Sequence, residues 1–295
     1  MRPVYWIVGP GRMGSALASL LADRAGPILV VGRQELPAGH PLLKLQAVDF
    51  VVGYPGAPEP GTRLLLAVPD ADVSKAAAEL AGLGGASSGC TALHLSGAQP
   101  ASILEPLADQ GYAVGSLHPL QTVADHAHGV ERLHGAFFTF EGDAAAKVVA
   151  AEIVAAAGGR MLEVHAADKA RYHAACVFAS NYVVSCAAAA TRLLAEAVGV
   201  SREEAIRALE PLWRGAVANL DDLGLPRALT GPIARGDLET LRSSLAVLDA
   251  PTRALYARLG LEALALSRES GLDAEVAGAI DVELRGHIAG GTEEA

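Results

Sequence analysis

The sequence predicts an α/β fold in which a doubly wound, mainly parallel sheet is followed by an all-helical domain. Up to about residue 165, short apolar runs alternate with helical patterns, as in chains that cross from strand to strand through helices. Beyond that point the apolar spacing is helical and no convincing strand is found. A glycine-rich turn directly after the first apolar run is a third sign of such a sheet. We therefore predict domains at 1–165 and 166–285 and a flexible tail at 286–295.

Seven apolar runs bounded by turn residues are predicted to form strands. They cover 4–8, 27–31, 63–68, 91–95, 113–117, 136–140 and 160–164. A helix is predicted over 15–24, directly after the glycine-rich turn. Asp70 is predicted to cap a further helix that ends at Leu80, because its carboxylate can accept a first-turn N–H.

The second half is predicted to be a series of helices. The first runs over 167–198 and ends at Gly199, which can adopt the left-handed conformation of a helix C-terminus. Ser201 and Glu204 form a capping box that opens the next helix. Two more helices are predicted over 238–248 and 251–270, the last with a proline in its first turn.

The composition is that of a globular protein with a sizeable core, because 51% of its residues are hydrophobic and 19% are charged. Acidic residues (33) outnumber basic ones (23) and no basic stripe is present, so we expect no nucleic-acid partner. Cys90, Cys176 and Cys186 show no CxxC spacing and predict reduced thiols in a cytoplasmic protein. The glycine-rich turn begins at Gly9, which leaves no room for a signal peptide before it.

Residues 174–191 carry no charge and are almost long enough to span a membrane. This stretch is mostly alanine and contains Ser180, Asn181 and Ser185, so it is only weakly apolar. We predict a helix that is buried inside a soluble protein and expect no membrane association.

The glycine-rich turn has the spacing GxGxxG and joins an apolar strand to an amphipathic helix. In such a turn Gly9 permits the tight bend, Gly11 lets a pyrophosphate approach the backbone, and Gly14 lets the helix pack on the strand. The positive end of the helix then faces the phosphates. The sequence therefore predicts a Rossmann dinucleotide site, to which we assign Gly9, Pro10, Gly11, Arg12, Met13 and Gly14.

The cofactor is predicted to be NADP(H). An NAD site usually has an acidic residue at the end of the second strand, about 20 residues past the loop, whereas this chain has Gly32-Arg33. Arg33 can pair with a 2′-phosphate, and Arg12 is a second candidate for that contact. Glu35, which lies nearby, is a feature that favours NAD. Val68 and Pro69 follow the strand at 63–68 and are assigned to the same cofactor site.

Candidate catalytic residues follow two neighbouring strands, where ligands of such sheets bind. Ser96 follows the run at 91–95, and His118 follows the run at 113–117. A histidine there could protonate a carbonyl oxygen or deprotonate an alcohol. The alternative is that His118 only hydrogen-bonds the loop backbone before Pro119.

The long helix predicted over 167–198 carries a second group of candidates. At 100° per residue, Lys169, His173, Cys176 and Ser180 fall within about 60° of one another, with Asn181 at the edge. Lys169 could be a proton donor or a carboxylate anchor, with His173 in the substrate site and Asn181 orienting the substrate. The alternative is a surface lysine that extends away from the core.

The loop at 229–237 is a third candidate, because its glycine and proline residues give it a defined shape. Thr230 and Arg235 could hold a substrate carboxylate. The alternative is a plain connection in which Asp237 caps the next helix. His126 and His128 are too close in sequence to share a helix face, so we predict no metal site.

Taken together, these motifs resemble the Rossmann-plus-DUF2520 proteins, a family similar to ketopantoate reductases, pyrroline-5-carboxylate reductases and β-hydroxyacid dehydrogenases. The resemblance covers the chain from Val4 to about Ser270. It rests on Gly9 to Gly14, Ala67 to Asp70, His94 to Gly97, Ser116 to Gln121, Lys169 to Asn181 and Thr230 to Asp237. The stretches SLHPLQ and TGPIARGD are its specific parts, since many families share the glycine-rich turn.

The resemblance implies an NADP-binding domain followed by a helical domain that often dimerises. In the β-hydroxyacid and ketopantoate enzymes a lysine on the interdomain helix is the proton donor, with an asparagine four residues later. Lys169 matches that lysine, but the later position holds His173, and the nearest asparagine is Asn181. In prephenate dehydrogenases a serine and a His-Pro after successive strands are catalytic, and Ser96 and His118 match those. The two family patterns therefore compete for the proton donor.

We predict an NADPH-dependent oxidoreductase that reduces a small 2-oxo acid by hydride transfer, with ketopantoate as the leading candidate substrate. One alternative is a dehydrogenase of the prephenate or arogenate type, and another is an imine reductase of the pyrroline-carboxylate type. A third alternative is a sensor that binds NADPH without turnover. The expected partners are a small-molecule carboxylate substrate and a second copy of the chain.

Overall fold

The computed structural model describes residues 5–22, 27–84, 88–126 and 128–288, and within this part of the chain eight strands form one sheet. The strands are β1 (Tyr5–Val8), β2 (Ile28–Gly32), β3 (Val48–Val52), β4 (Arg63–Leu66), β5 (Thr91–His94), β6 (Ala113–Pro119), β7 (Phe137–Gly142) and β8 (Arg160–Glu163). Their order in the sheet is β3-β2-β1-β4-β5-β6-β7-β8. The first six strands are parallel, β7 is antiparallel to β6, and β8 is parallel to β7.

Eleven α-helices accompany the sheet or follow it in the described residues. They are α1 (Arg12–Ala22), α2 (Val73–Gly82), α3 (Glu105–Ala108), α4 (Gly129–Leu133), α5 (Ala144–Ala156), α6 (Lys169–Ala179), α7 (Asn181–Val198), α8 (Arg202–Leu223), α9 (Leu238–Val247), α10 (Ala250–Glu269) and α11 (Ala274–Gly286). The predicted fold class, a mainly parallel doubly wound sheet followed by helices, is confirmed.

Core clusters cover both faces of the central strands, which explains why β1, β2 and β4 are mostly buried apolar runs. Successive residues of β1 point to opposite faces. Tyr5 and Ile7 pack into a core cluster with residues of α1 and α5, whereas Trp6 and Val8 pack into a second cluster with residues of α2. The order of the strands reverses between β1 and β4, so a crevice opens beyond the carboxyl ends of these two strands.

One strand of the sheet, β3, was absent from the predicted set. It lies at the edge of the sheet, and only its partner β2 pairs with it among the described strands. None of its five residues is fully buried, and Asp49 interrupts the apolar run. An edge strand of this kind lacks the apolar pattern on which the sequence prediction depends.

The predicted cap at Asp70 is wrong. A short 3₁₀ turn, Asp70–Asp72, precedes α2, and α2 itself begins at Val73. The residues in the cap positions, Pro69 and Asp72, make no side-chain capping hydrogen bond. Where a 3₁₀ turn precedes an α-helix, the capping position moves away from the residue that the sequence pattern indicates.

The single long helix predicted over 167–198 is interrupted at Ser180, whose φ of −127° and ψ of −71° are not helical. The Ser180 hydroxyl donates to the carbonyl oxygen of Cys176 at 2.7 Å and lies 2.9 Å from Asn181 Oδ1. Local side-chain hydrogen bonds of this kind compete with the backbone pattern of a helix. The predicted end of the second piece is confirmed, since Gly199 has a φ of +74°.

The capping predictions for the second half are confirmed. The Ser201 hydroxyl accepts from the backbone N–H of Glu204 at 3.1 Å, and α8 follows. Asp237 accepts from the backbone N–H of Thr240 at 3.0 Å at the start of α9. Helix α10 has proline in its first turn, as predicted. Most of the tail predicted over 286–295 lies outside the described residues, which end at 288.

Internal contacts divide the chain into two compact units, the first running to Tyr182 and the second beginning at Val183. Helix α6 thus belongs to the unit that contains the sheet, whereas the predicted boundary near residue 165 assigns it to the helical domain. The core of the second unit is formed by side chains of α9, α10 and α11, among them Leu241, Leu245, Leu264, Ile280 and Leu284.

Residues 174–191, which were expected to form a helix buried inside a soluble protein, are mostly exposed within the single chain. Thr191 is the only buried residue of α7. Among the described residues one helical stretch, Ala166–Val198, has the length and composition needed to cross a membrane, with a mean hydropathy of 1.4. Only 6% of that apolar window is buried within the chain, so α7 presents an exposed apolar surface.

Candidate active site

The glycine-rich turn lies at the carboxyl end of β1 and leads into α1. Gly9 has a φ of +107°, and a Cβ atom there would lie 2.5 Å from the carbonyl oxygen of Ala67. A Cβ atom on Gly14 would collide with the carbonyl oxygen of Gly9, so α1 packs closely on the turn. Gly11 has no atom within 4 Å of its Cβ position, which leaves space at the start of α1. This open position next to a helix N-terminus could admit a pyrophosphate.

A cleft of about 970 Å³ adjoins the turn. Six of the nine residues assigned to the cofactor line it, namely Gly9, Pro10, Gly11, Arg33, Val68 and Pro69. The other three lie at the start of α1. Arg12 donates to the carbonyl oxygen of Ala124 at 3.2 Å, Met13 packs against the core, and Gly14 is buried.

Arg33 lies at the end of β2, with its side chain 64% exposed and its Nη1 atom 3.4 Å from Asp72 Oδ2. Lys75 also lines the cleft, together with the acidic residues Glu35 and Glu79. The cleft thus offers two cations for a 2′-phosphate, and each has a carboxylate partner, since Lys75 is 3.9 Å from Glu79. Exposed pairs of this kind are weak and open readily to another anion.

Lys169 is the central residue of a second group of polar side chains, at the carboxyl ends of β5 and β6. It begins α6 and is only 1% exposed. Its Nζ atom donates to Ser116 Oγ at 2.5 Å and to the carbonyl oxygen of Ser96 at 3.1 Å. Burial lowers the pKa of Lys169 to about 8, although Glu141 and Asp70 act in the opposite direction.

Ser116 was not among the predicted site residues. It lies two positions before His118 on β6, so both side chains point to the same face of the sheet. The signal that could have identified it is this alternation within the SLHPLQ stretch.

His118 is held by a tyrosine that was not among the predicted site residues. The His118 Nδ1 atom lies 2.5 Å from the hydroxyl oxygen of Tyr172, three residues after Lys169 on α6. Burial, together with the nearby Lys169 and His173, lowers the pKa of His118 to about 4, so the imidazole is neutral at pH 7. The alternative in which His118 bonds only loop backbone is wrong, because His118 belongs to β6 and its ring contacts α6.

The Ser96 hydroxyl stabilises the loop to which it belongs. It accepts from the backbone N–H groups of Ala98 and Gln99, at 3.2 and 3.0 Å. The backbone N–H of Ser96 in turn donates to Nδ1 of His94, whose Nε2 atom lies 3.2 Å from the carbonyl oxygen of Pro100. Burial lowers the pKa of His94 to about 4, so this histidine is a neutral support for the loop.

Gly97 lies between two imidazole rings. A Cβ atom at this position would lie 2.8 Å from His173 Nδ1 and 3.0 Å from both Cε1 and Nε2 of His118. The two ring centroids are 6.4 Å apart. His173 Nδ1 is buried and has no hydrogen-bond partner among the described residues. The structure therefore brings the predicted residues Ser96, His118, Lys169 and His173 together around this glycine.

Three other predicted site residues belong to other elements of the chain. Asn181 follows the break at Ser180 and is exposed at the start of α7. Thr230 and Arg235 belong to the second unit, in the loop that precedes α9. In that loop the alternative prediction for Asp237, a helix cap, is confirmed.

Family models match most of the chain in two pieces. A Rossmann-like domain matches residues 2–119, and a domain of unknown function, DUF2520, matches residues 136–263. A comparison with curated proteins finds no match.

Several solved structures share the fold. Protein TM1727 from Thermotoga maritima has a TM-score of 0.70 at 20% identity, over 90% of this chain and 99% of that chain. A reductive aminase from Aspergillus terreus in complex with NADPH and ethyl levulinate has a TM-score of 0.54 at 18% identity, over 99% and 95%. Pyrroline carboxylate reductase from Plasmodium falciparum with NADP bound has a TM-score of 0.53 at 14% identity, over 97% and 98%.

The sheet order and the glycine-rich turn define a Rossmann-fold protein with a helical second part. Within that class the chain is a Rossmann-like plus DUF2520 protein, which confirms the resemblance drawn from the motifs.

Proposed function

We propose that this protein is a cytoplasmic, NADPH-dependent reductase that acts on a small 2-oxo acid, with ketopantoate as the first compound to test. The observation that carries this proposal is the buried Lys169 ammonium group beside Ser116 and the neutral His118. This cluster lies at the same edge of the sheet as the glycine-rich turn, because β1, β4, β5 and β6 are parallel. Ligands of such sheets bind beyond that edge.

The cofactor assignment rests on the cleft. The open position at Gly11 suits a pyrophosphate, and Arg33 and Lys75 suit a 2′-phosphate. The bound cofactor would supply a hydride to the carbonyl carbon. NADP and NADPH in structures of the same fold, named above, support this choice.

Lys169 is the proton donor in this proposal. A pKa of about 8 leaves the ammonium group mostly protonated at pH 7, yet able to give up its proton readily. Two of its three N–H bonds are used by Ser116 and Ser96, which aim the third. As the substrate oxygen gains negative charge, Lys169 would protonate it. His118, with a pKa of about 4, is a hydrogen-bonding group and a poor acid at that pH.

The first experiment follows nicotinamide fluorescence while the purified protein is titrated with NADPH and NADH, and then absorbance at 340 nm after ketopantoate is added. Tighter binding of NADPH, followed by its oxidation, is the expected result. The variant Lys169→Ala should lower turnover by about 10²–10⁴-fold with unchanged affinity for NADPH. Full turnover in this variant would remove Lys169 from the mechanism.

An imine reductase of the pyrroline-carboxylate type is the second candidate. It is favoured by the reductive aminase and pyrroline carboxylate reductase that share the fold. Pyrroline-5-carboxylate and simple cyclic imines therefore belong in the same assay. Oxidation of NADPH by these compounds and by no 2-oxo acid would select this alternative. A His118→Ala variant with full activity would exclude a prephenate-type mechanism, and tight NADPH binding without any turnover would favour a sensor.

We also propose that the protein is a homodimer. Helices α7 and α8 expose apolar side chains, including Val184 (70% exposed), Ile206, Leu212, Val217 and Leu220. Exposed apolar surface of this extent is typical of an interaction site. A bilayer is a poor occupant, because eight of the 22 residues of α8 are charged. A second copy of the chain suits this surface of apolar and charged side chains. We expect neither a membrane nor a nucleic acid as partner.

A further inference from the structure

The contact between Tyr172 and His118 joins α6 to β6 across 54 residues of sequence. At 2.5 Å it is a short hydrogen bond, and burial raises the pKa of Tyr172 far above the usual value for a phenol. The phenol therefore keeps its proton at all ordinary pH values. Because His118 is neutral at pH 7, its two ring nitrogens comprise one donor and one acceptor.

The tautomer depends on which group receives the single hydroxyl proton of Tyr172, whose other side-chain hydrogen-bond partners are Thr139 and Cys176. Nδ1 faces the hydroxyl of Tyr172, a group with a proton to donate. Nε2 faces Gly97, where a Cβ atom would lie only 3.0 Å away. If Tyr172 donates to Nδ1, the imidazole must carry its own proton on Nε2.

We propose that Tyr172 is a positioning residue that holds His118 as the Nε2–H tautomer and so makes the site recognise an oxygen acceptor. In this arrangement His118 and Lys169 both offer N–H donors at the carboxyl ends of β5 and β6. Tyr172 acts through His118 and does not touch the reacting atoms.

The consequence for substrate class deepens the proposed function and rests on it. A 2-oxo acid carries carbonyl and carboxylate oxygens, which accept hydrogen bonds from both donors. A protonated imine presents an N–H group, which would meet Nε2–H of His118 donor to donor. A buried donor without an acceptor costs binding energy and discriminates strongly between substrates. The Tyr172–His118 pair therefore favours a 2-oxo acid over an iminium substrate.

The tautomer can be measured without any substrate. In protein labelled with ¹⁵N-histidine, the protonated and unprotonated ring nitrogens have well-separated chemical shifts. The signals of His118 among the nine histidines are identified by their loss in His118→Ala. We expect Nε2–H in the native protein and a mixture of tautomers in Tyr172→Phe. Nδ1–H in the native protein, or the same tautomer in both proteins, would overturn the proposal.

A double-mutant cycle gives the kinetic test. With the most active substrate of the panel, Tyr172→Phe should lower kcat about tenfold and leave the KM for NADPH unchanged. In the His118→Ala background the same change should have no further effect, because its target is gone. If each substitution lowered kcat by its own factor and the two factors multiplied in the double variant, Tyr172 could not be acting through His118. Tyr182→Phe, at an exposed tyrosine, is the matched control and should match the native protein.

The two readouts separate the possible failures. If no 2-oxo acid is reduced while the ¹⁵N spectrum shows the expected tautomers, the proposed function fails and the role of Tyr172 stands. If 2-oxo acids are reduced and the tautomer is insensitive to Tyr172→Phe, the proposed function stands and the role of Tyr172 fails.

Discussion

Gly97 shows how a single residue controls the geometry of the candidate site. Its α-carbon separates the imidazoles of His118 and His173, and no side chain fits there without moving a ring. The φ angle of Gly97 is not in the left-handed region, so the requirement is for space and not for backbone freedom.

We expect Gly97→Ala to lower kcat more than tenfold, because the added methyl group displaces His118 Nε2 from its position. Overpacking should also reduce the free energy of unfolding by about 1–3 kcal/mol. Affinity for NADPH, measured by fluorescence, should change little. Gly82→Ala is the control, since no atom lies within 4 Å of its Cβ position. Equal activity in both variants would show that the imidazoles tolerate displacement.

In the proposed function, Arg33 decides the choice between NADPH and NADH. We expect Arg33→Ala to weaken NADPH binding about tenfold and to leave NADH binding nearly unchanged, because only NADPH has the 2′-phosphate. The neighbouring variant Asp72→Asn should have the opposite effect. It removes the carboxylate 3.4 Å from Arg33, which competes with the phosphate. Titrations of both variants with NADPH and NADH at low salt test the predicted decrease and the predicted increase in affinity. If the affinities for the two nucleotides changed equally, the assignment of Arg33 to the 2′-phosphate would be contradicted.

The pH dependence of the proposed reaction follows from Lys169. Burial lowers its pKa to about 8, and the reaction requires the protonated form. At saturating NADPH, kcat/KM for the 2-oxo acid should be level below pH 8 and fall as the pH rises through that value. In Lys169→Ala this decline should be absent. A decline that persists in the variant would assign the titration to another group.

At the scale of secondary-structure elements, local patterns predicted what local forces control. Ser201 and Asp237 cap their helices as expected, because a capping side chain bonds N–H groups only two or three residues away. The pattern failed where neighbours in space decide the outcome. β3 exists because β2 offers it an edge. The break at Ser180 has a different cause, a local hydrogen bond to the carbonyl oxygen of Cys176 that the apolar pattern does not show.

Helices α7 and α8 provide the prediction at this scale. Val184→Glu on α7 and Leu220→Glu on α8 each place a charge on the exposed apolar surface. Both should shift the protein from dimer to monomer in light scattering, because an unpaired charge is costly in a buried interface. Val282→Glu on α11 is the control, since this side chain is 74% exposed and lies on another helix. A native protein that is monomeric, or that sediments with membranes, would refute the dimer.

For the whole molecule, cofactor binding should be visible as stability. A ligand that binds only the folded state raises the free energy of unfolding by about 2.7 kcal/mol at a concentration 100 times its Kd. We therefore expect NADPH to raise the Tm more than the same concentration of NADH does. The difference should disappear in Arg33→Ala. Equal shifts with both nucleotides in the native protein would argue against an NADP site.

The sequence by itself determined the sheet class, the glycine-rich turn, the helix caps at Ser201 and Asp237 and the family, because each of these depends on residues close together along the chain. It also identified Lys169, His118, His173 and Ser96 as candidates, since strand ends and helix faces follow from periodicity. Only the tertiary structure decided how they are combined. Lys169 bonds Ser116 across 53 residues and Tyr172 bonds His118 across 54, and such pairs form only when the strand order brings α6 onto the ends of β5 and β6. Burial, which sets the protonation of these groups, is likewise a property of the assembled fold and not of local sequence.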